Sequence, residues 1–404
     1  MKQSYPTKLR FAKAGPEQLQ MQLEALCRLK ASELFQAALE VEVDEALERL
    51  RYERRSDAGK TGYRDGHDRP RSIASNRGPI IVARPRVRGV PFASEILPKH
   101  RRKLENVDRS LTDLWLDGLA TRDFEGTLRA FLGADAPLSA ATITRTNQLL
   151  CKALDAWNAR RLDDLELVFT WADGIYLGAG PDDERRVFLV VLGADRLGEK
   201  HLLAIREAMS ESEVAWEELF ADLANRGLRA PALLVADGAH GLWAAAQKAW
   251  PGVAEQRCWI HKMRNVEEKL PTKLQPAAHK ALTEIMYAER EPEARRKLEQ
   301  LAKSYERGYP KAAKCLRDDV DRMFAYYRFP HASWVHLRST NPIESIFSPI
   351  RNRADAMKRL RTGRFATAVL LALATKLSKS WRRLRGYRDL YELVPKPIAL
   401  KRAA

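Results

Sequence analysis

The chain has 404 residues, 45% hydrophobic and 30% charged, a globular balance that excludes a disordered or fibrous protein. It contains no run of about 18 apolar residues, which excludes a helical membrane span, and its four cysteines (Cys27, Cys151, Cys258, Cys315) stand too far apart for a disulfide framework. The formal net charge of +17 is spread unevenly: residues 351–404 hold 15 Lys/Arg against 3 Asp/Glu and residues 51–100 hold 12 against 5, whereas residues 151–250 hold 11 against 17. A basic frame around an acidic middle predicts a polyanionic partner and a carboxylate-rich site that needs cations; the plainer reading is a solvated basic surface. The opening MKQSYPTKLRFAKAG lacks the apolar core of a secretory signal, so the expected setting is the reducing cytoplasm.

In chain order, residues 16–50 place apolar residues at helical spacing and predict one or two amphipathic helices. Residues 55–72 (RSDAGKTGYRDGHDRPRS) are rich in Gly, Asp and Arg and predict a loop. Residues 78–92 (GPIIVARPRVRGVPF) alternate β-branched and basic residues, as a short strand or hairpin does, with Pro85 arguing for an edge. Residues 107–156 read as helical. The Gly133–Pro137 break, with Ser139 placed to cap the helix after it, suggests a weak helix-turn-helix pattern.

From residue 165 short apolar runs replace the helical period. Segments 165–177, 186–195 and 201–207 predict three strands, 211–227 a helix, 231–238 a strand, then a further helix and a strand over 253–260. This is an α/β core. Residues 262–338 predict a helical insertion, and 342–385 a helical stretch with the basic tail on it.

Two aspartates stand out against this background. Asp173 lies inside the first strand and Asp237 closes the fourth; each is followed by Gly. Either alone reads more simply as the start of an Asp-Gly turn. Together they suggest convergence beyond strand ends. Two carboxylates about 4 Å apart repel by roughly 4 kcal/mol at an effective dielectric near 20. A divalent cation removes that cost, and oxygen-only ligands suit Mg²⁺ or Mn²⁺. Glu344, in STNPIESIFSPIRNR, has two readings of equal weight. Asn341 as N-cap, Pro342 at the first helical position and Glu344 three after the cap form a capping-box pattern. Alternatively, the carboxylate borders the apolar stripe Ile343, Ile346, Phe347, Ile350 and reaches a metal.

Four motifs in order, WADGIYL, LLVADGAHGLW, QRCWIHKMRN and TNPIESIFSPIRNR, resemble those of bacterial insertion-sequence transposases of the Mutator-like family. GYRDG, PRVRGVPF and the GRF…WRRLRGY end extend the likeness over roughly residues 15 to 390. The resemblance implies an RNase H-like catalytic core with a DDE triad falling on Asp173, Asp237 and Glu344. It also implies a Cys-x-x-His motif on Cys258 and His261, two Mg²⁺ or Mn²⁺ ions, and double-stranded DNA as partner, handled by a homodimer or higher oligomer of a cytoplasmic, nucleoid-associated protein. The organisation it implies is a mostly helical N-terminal region with a basic loop or hairpin (1–105) for DNA binding and dimerisation, then a helix-turn-helix-like region (106–160). The first part of the core (161–262), the insertion (263–338), and the Glu-bearing helix with the basic tail (339–404) follow.

Arg84, Arg86, Arg88, Arg351, Arg353, Lys358, Arg359, Arg361 and Arg364 read as phosphate contacts, a solvated helix face being the plainer reading for some. Cys258 and His261 are too few for a zinc site and read as a packing or orienting motif. His240 is a weaker candidate for a DNA contact or a helix cap, while Trp243, Trp250 and Trp259 read as core. The competing functions are a non-transposing nuclease of the same fold, a DNA-binding regulator and, least compatible with two basic flanks, a small-substrate metallohydrolase.

Overall fold

The protein is seen here as a computed structural model that describes residues 15–53, 62–75, 78–104, five positions between 107 and 116, 140–177, 186–356 and 363–393. The chain divides into two compact units, residues 1–147 and 148–404.

In the first unit the helix α1 (Pro16–Leu47) opens on a proline in its first turn, where the missing N–H costs nothing. Its Leu39 packs with Ile73, Ile80, Val82 and Leu97 in a small core. Four strands follow: β1 (Tyr63–His67), β2 (Arg71–Ser75), β3 (Gly78–Val82) and β4 (Pro85–Arg88). They form two antiparallel ribbons, β1 with β4 and β2 with β3. The loop expected over 55–72 is therefore corrected at 63–67 and 71–72, its part over 55–61 lying outside the described residues; up to residue 104 the described residues form α1 and two ribbons. Strand formation here comes from pairing across the ribbon, which composition does not carry. The 78–92 stretch is a strand pair as expected, but its two strands pair with partners upstream. Pro85 begins a ribbon strand, the position that tolerates it.

The second unit begins within α2 (Ala140–Ala159). The turn and first helix of the suggested helix-turn-helix, with Ser139, lie outside the described residues. Then come β5 (Leu167–Leu177), β6 (Arg186–Asp195), β7 (Lys200–Ala208), α3 (Glu213–Asn225), β8 (Leu233–Ala236), α4 (His240–Ala249) and β9 (Glu255–Arg257). The five strands make one mixed sheet in the order β7-β6-β5-β8-β9. The pairs β7/β6 and β6/β5 are antiparallel, and β5/β8 and β8/β9 are parallel. These strands read as near-continuous apolar runs because both sheet faces are covered. On one face, Ala172, Leu189 and Val191 pack under Trp216, Leu219 and Phe220 of α3 and Leu242 and Trp243 of α4. On the other, the Phe169 ring meets Phe329 at 5.3 Å and Trp171 Nε1 donates to the His336 carbonyl at 2.9 Å.

The strand expected over 253–260 is shorter than predicted. It ends at Arg257, and Trp259 already begins α5 (Trp259–Glu267). Helices α6 (Gln275–Met286), α7 (Glu291–Tyr305) and α8 (Pro310–Arg317) continue the expected insertion. After short turns, α9 (Asn341–Ala356) and α10 (Gly363–Ser378) complete the unit, and α9 packs against β5 and β6.

Candidate active site

The parallel register of β5 and β8 pairs Ala172 with Ala236, so Asp173 on β5 and Asp237, the residue just past the end of β8, follow level positions on strands that run ~4.8 Å apart. The structure thus brings these two predicted residues together. Asp173 is only 8% exposed, and burial drives its carboxyl pKa up to about 6. His261 and a hydrogen bond from Thr340 pull the other way, while Asp237 and Glu211 add repulsion. Backbone amides orient both groups: Gly174 N–H donates to Asp173 Oδ1 and Ala239 N–H to Asp237 Oδ1, each at 3.0 Å.

The two Asp-Gly pairs turn out differently. Gly174 is mid-strand, paired with Leu189, and no turn begins at Asp173. A Cβ there would strike the Glu211 carboxyl, so this glycine opens room for a third acidic side chain. Gly238 does make a turn, at φ 97°, with the buried Arg257 guanidinium 2.5 Å from where a Cβ would stand. Gly238→Ala is expected to destabilise the second unit by about 2–3 kcal/mol, combining left-handed strain with displacement of a buried cation. Urea denaturation checks this, and a loss below about 1 kcal/mol would show that Arg257 yields freely.

Glu211 was missed by sequence reasoning. It follows β7 in an SESE run that reads as an acidic turn, and no local pattern separates it from Glu213. Burial, with Asp237 behind it, raises its pKa despite a hydrogen bond with Tyr176. His261 is the cation of this group. The Cys258 sulfur, and after it Asp173 and Asp237, favour the imidazolium against burial, and its pKa is pushed up to about 9. Its Nδ1 is buried and has no hydrogen-bond partner among the described residues. A neutral thiol carries no charge, so the charge that favours the imidazolium is that of the two carboxylates.

Cys258 and His261 stand at the start of α5. Cys258 is fully buried; its amide donates to the Ala236 carbonyl at 2.7 Å, and Trp259 N–H donates to the Arg338 carbonyl at 2.8 Å. The motif therefore ties the end of β8 to the segment that launches α9.

Glu344 lies in the first turn of α9, exposed to solvent. The amides of Ile343 and Glu344 bond to the Thr340 carbonyl at 2.9 and 3.3 Å, which makes Thr340 the capping position and puts Glu344 one place beyond the box expected from Asn341. No hydrogen bond or ion pair engages its carboxylate among the described residues, so the structure does not join Glu344 directly to the aspartates.

Of the expected phosphate contacts, Arg351 is exposed on α9, and Arg364 is exposed and paired with Asp155 at 2.6 Å. Arg84 pairs with Asp68 at 2.9 Å and Arg88 with Asp65 at 2.8 Å, while Arg86 donates to the Asp65 carbonyl at 3.1 Å. Arg88 and Arg364 are the more exposed of these paired arginines, and ion pairs at such surfaces contribute little to stability. Lys358, Arg359 and Arg361, and the side chains of Arg353 and His240, lie outside the described residues. Trp243, Trp250 and Trp259 are buried core, as expected.

Asp195, Glu199 and His201 bring ligand atoms within 4.8 Å of one another. They form the β6–β7 turn, five positions along β6 from the Val190 that faces Asp173, roughly 17 Å at ~3.4 Å per residue. Their atoms are already engaged. Asp195 Oδ1 accepts from Leu197 and Glu199 amides at 2.8 and 2.9 Å, Oδ2 meets His201 Nε2 at 2.8 Å, and Glu199 pairs with Arg383. This turn is held by its own side chains, and we assign no metal to it.

The chain matches the family described as "Transposase, Mutator family" over residues 5–383. It is 40% identical over 264 residues to the transposase for insertion sequence element IS6120 of Mycolicibacterium smegmatis, covering 65% of this chain and 80% of that one. It is 35% identical over 233 residues to the transposase for IST2 of Acidithiobacillus ferrooxidans (57% and 79% covered). Against the transposase for ISRM5 of Rhizobium meliloti identity is 28% over 378 residues, 92% of each chain.

Proposed function

The chain belongs to the Mutator family of transposases, and on that footing we propose that it is a metal-dependent DNA transposase whose second unit is an RNase H-like core centred on Asp173 and Asp237. The observation that carries the reading is the level placement of two carboxylates, on β5 and just past the end of its parallel neighbour β8, one of them buried, with Glu211 beside them. A set of oxygen donors this concentrated fits hard divalent cations, Mg²⁺ or Mn²⁺. Asp173 and Asp237 would hold them, with Glu344, in the first turn of α9, as the third member of a DDE set. When bound, two such ions supply water activation and charge neutralisation at a phosphodiester.

The protein's own groups do the rest. The Gly174 and Ala239 amides aim one oxygen of each aspartate. The His261 cation offsets carboxylate repulsion, and exposed Arg351 and Arg364 meet the DNA backbone. The overall reaction hydrolyses a phosphodiester at the element end and joins the freed 3′ oxygen to target DNA. Each step exchanges one P–O bond for another, so no covalent protein intermediate is required. The regions before residue 161 and the basic tail would bind the element's inverted repeats, the chain acting as a homodimer or higher oligomer inside the bacterial cell.

The test is incubation of the full chain with Mg²⁺, target DNA and duplexes carrying the inverted repeats that border its reading frame. Joined product is the expected result. Nicking with no joined product would make the protein a nuclease. Binding with no cleavage would make it a regulator.

A further inference from the structure

We propose that Thr340 is a positioning residue for the carboxylate site: it clasps the first turn of α9 to Cys258, the residue anchored to the end of the strand that leads into Asp237. The inference rests on the site proposed above and adds a residue to it. Thr340 is 1% exposed and Cys258 0%, so the contact is dry. The Thr340 amide donates to Cys258 Sγ at 3.4 Å and its hydroxyl to the same sulfur at 3.6 Å. The Cys258 amide is anchored to Ala236, the residue before Asp237, at 2.7 Å. The Thr340 carbonyl in turn accepts from the Ile343 and Glu344 amides.

One short path therefore runs from the strand that leads into Asp237, through the sulfur, to the turn carrying Glu344. A hydroxyl has one proton, and sulfur is a weak acceptor. If this site were packing alone, valine would fill the same volume without a polar group to bury.

The test compares Thr340→Val with Thr340→Ser, and Cys258→Ala with Cys258→Ser, in the full chain. Mn²⁺ binding to the DNA-free protein is measured by titration, and hydrogen exchange of the 343 and 344 amides is followed without metal. Thr340→Val is expected to weaken Mn²⁺ binding by roughly tenfold, as loss of a group that positions a ligand does, with Thr340→Ser within about twofold of the parent. Exchange at 343 and 344 should quicken in Thr340→Val and Cys258→Ala, while Cys258→Ser, whose oxygen accepts from the Thr340 amide, restores protection. A packing role would give Thr340→Val parental affinity and parental exchange, and that result overturns the proposal. Should Thr340→Val not fold, the Cys258 pair decides by the same two measurements. Mn²⁺ binding indifferent to Asp237→Ala would overturn the carboxylate site itself and this proposal with it. Dependence on Asp237 together with an unaffected Thr340→Val overturns this proposal alone.

Discussion

Asp173→Asn abolishes strand cleavage, by about 10³-fold or more for loss of a metal-holding carboxylate, yet makes the free protein harder to unfold at pH 8. Both effects come from the same burial. The folded-state pKa of about 6 lies above the ordinary value of 3.8, so the folded protein binds this proton more tightly than the unfolded chain does. The stability this contributes is complete below pH 3.8 and is lost as pH rises to about 6 and beyond. Asparagine mimics the protonated form at every pH. The variant should therefore match the parent near pH 3.5 and exceed it at pH 8. The move from 3.8 to about 6 sets a ceiling of about 3 kcal/mol, and about 1–2 kcal/mol is expected because His261 loses a partner in the variant. Urea denaturation of both proteins at the two pH values reads the difference directly. Equal stability at pH 8 would mean that Asp173 is already relieved in the free protein, and the burial argument would fail.

Glu344→Gln gives the second large effect, and it separates the two lives this residue had in the sequence. A third site carboxylate predicts a fall in cleavage of about 10²–10³-fold. A capping-box residue predicts instead a stability loss of about 0.5–2 kcal/mol when its bond to the cap is weakened. Because the side chain is exposed and engaged by no hydrogen bond or ion pair among the described residues, stability should stay within about 0.5 kcal/mol of the parent. Unchanged cleavage with lowered stability would return Glu344 to a structural role. Such an outcome would leave Asp173, Asp237 and Glu211 as the acidic set of the site.

The residues that could be read without a structure share a property: their signal is local. Asp173 and Asp237 sit in apolar runs where a carboxylate is out of place, and that contrast is visible within a dozen residues. The strands and helices of 165–250 announce themselves by a change of period, and the insertion by its lack of strand signal. The ribbons of the first unit carry no such mark, because GYRDGH becomes a strand only when PRVR lies beside it. Cys258–Ile260 carries a strand signal in the sequence for a related reason. A short apolar run has the same composition at a strand end and at a helix start, and the Ala236 and Arg338 contacts that choose between them lie far off in sequence.

The paired aspartates thus came from the sequence, since burying a charge inside an apolar run is costly wherever the strand ends up. What surrounds them was settled only by the tertiary structure. Glu211 gained its place when β7 delivered it over Gly174, a site that only a glycine leaves open. His261 became the site's cation, and Thr340 rather than Asn341 the cap of the Glu344 helix, through contacts between segments some 80 residues apart. Such contacts depend on strand order and register, which side-chain period and local propensity do not encode.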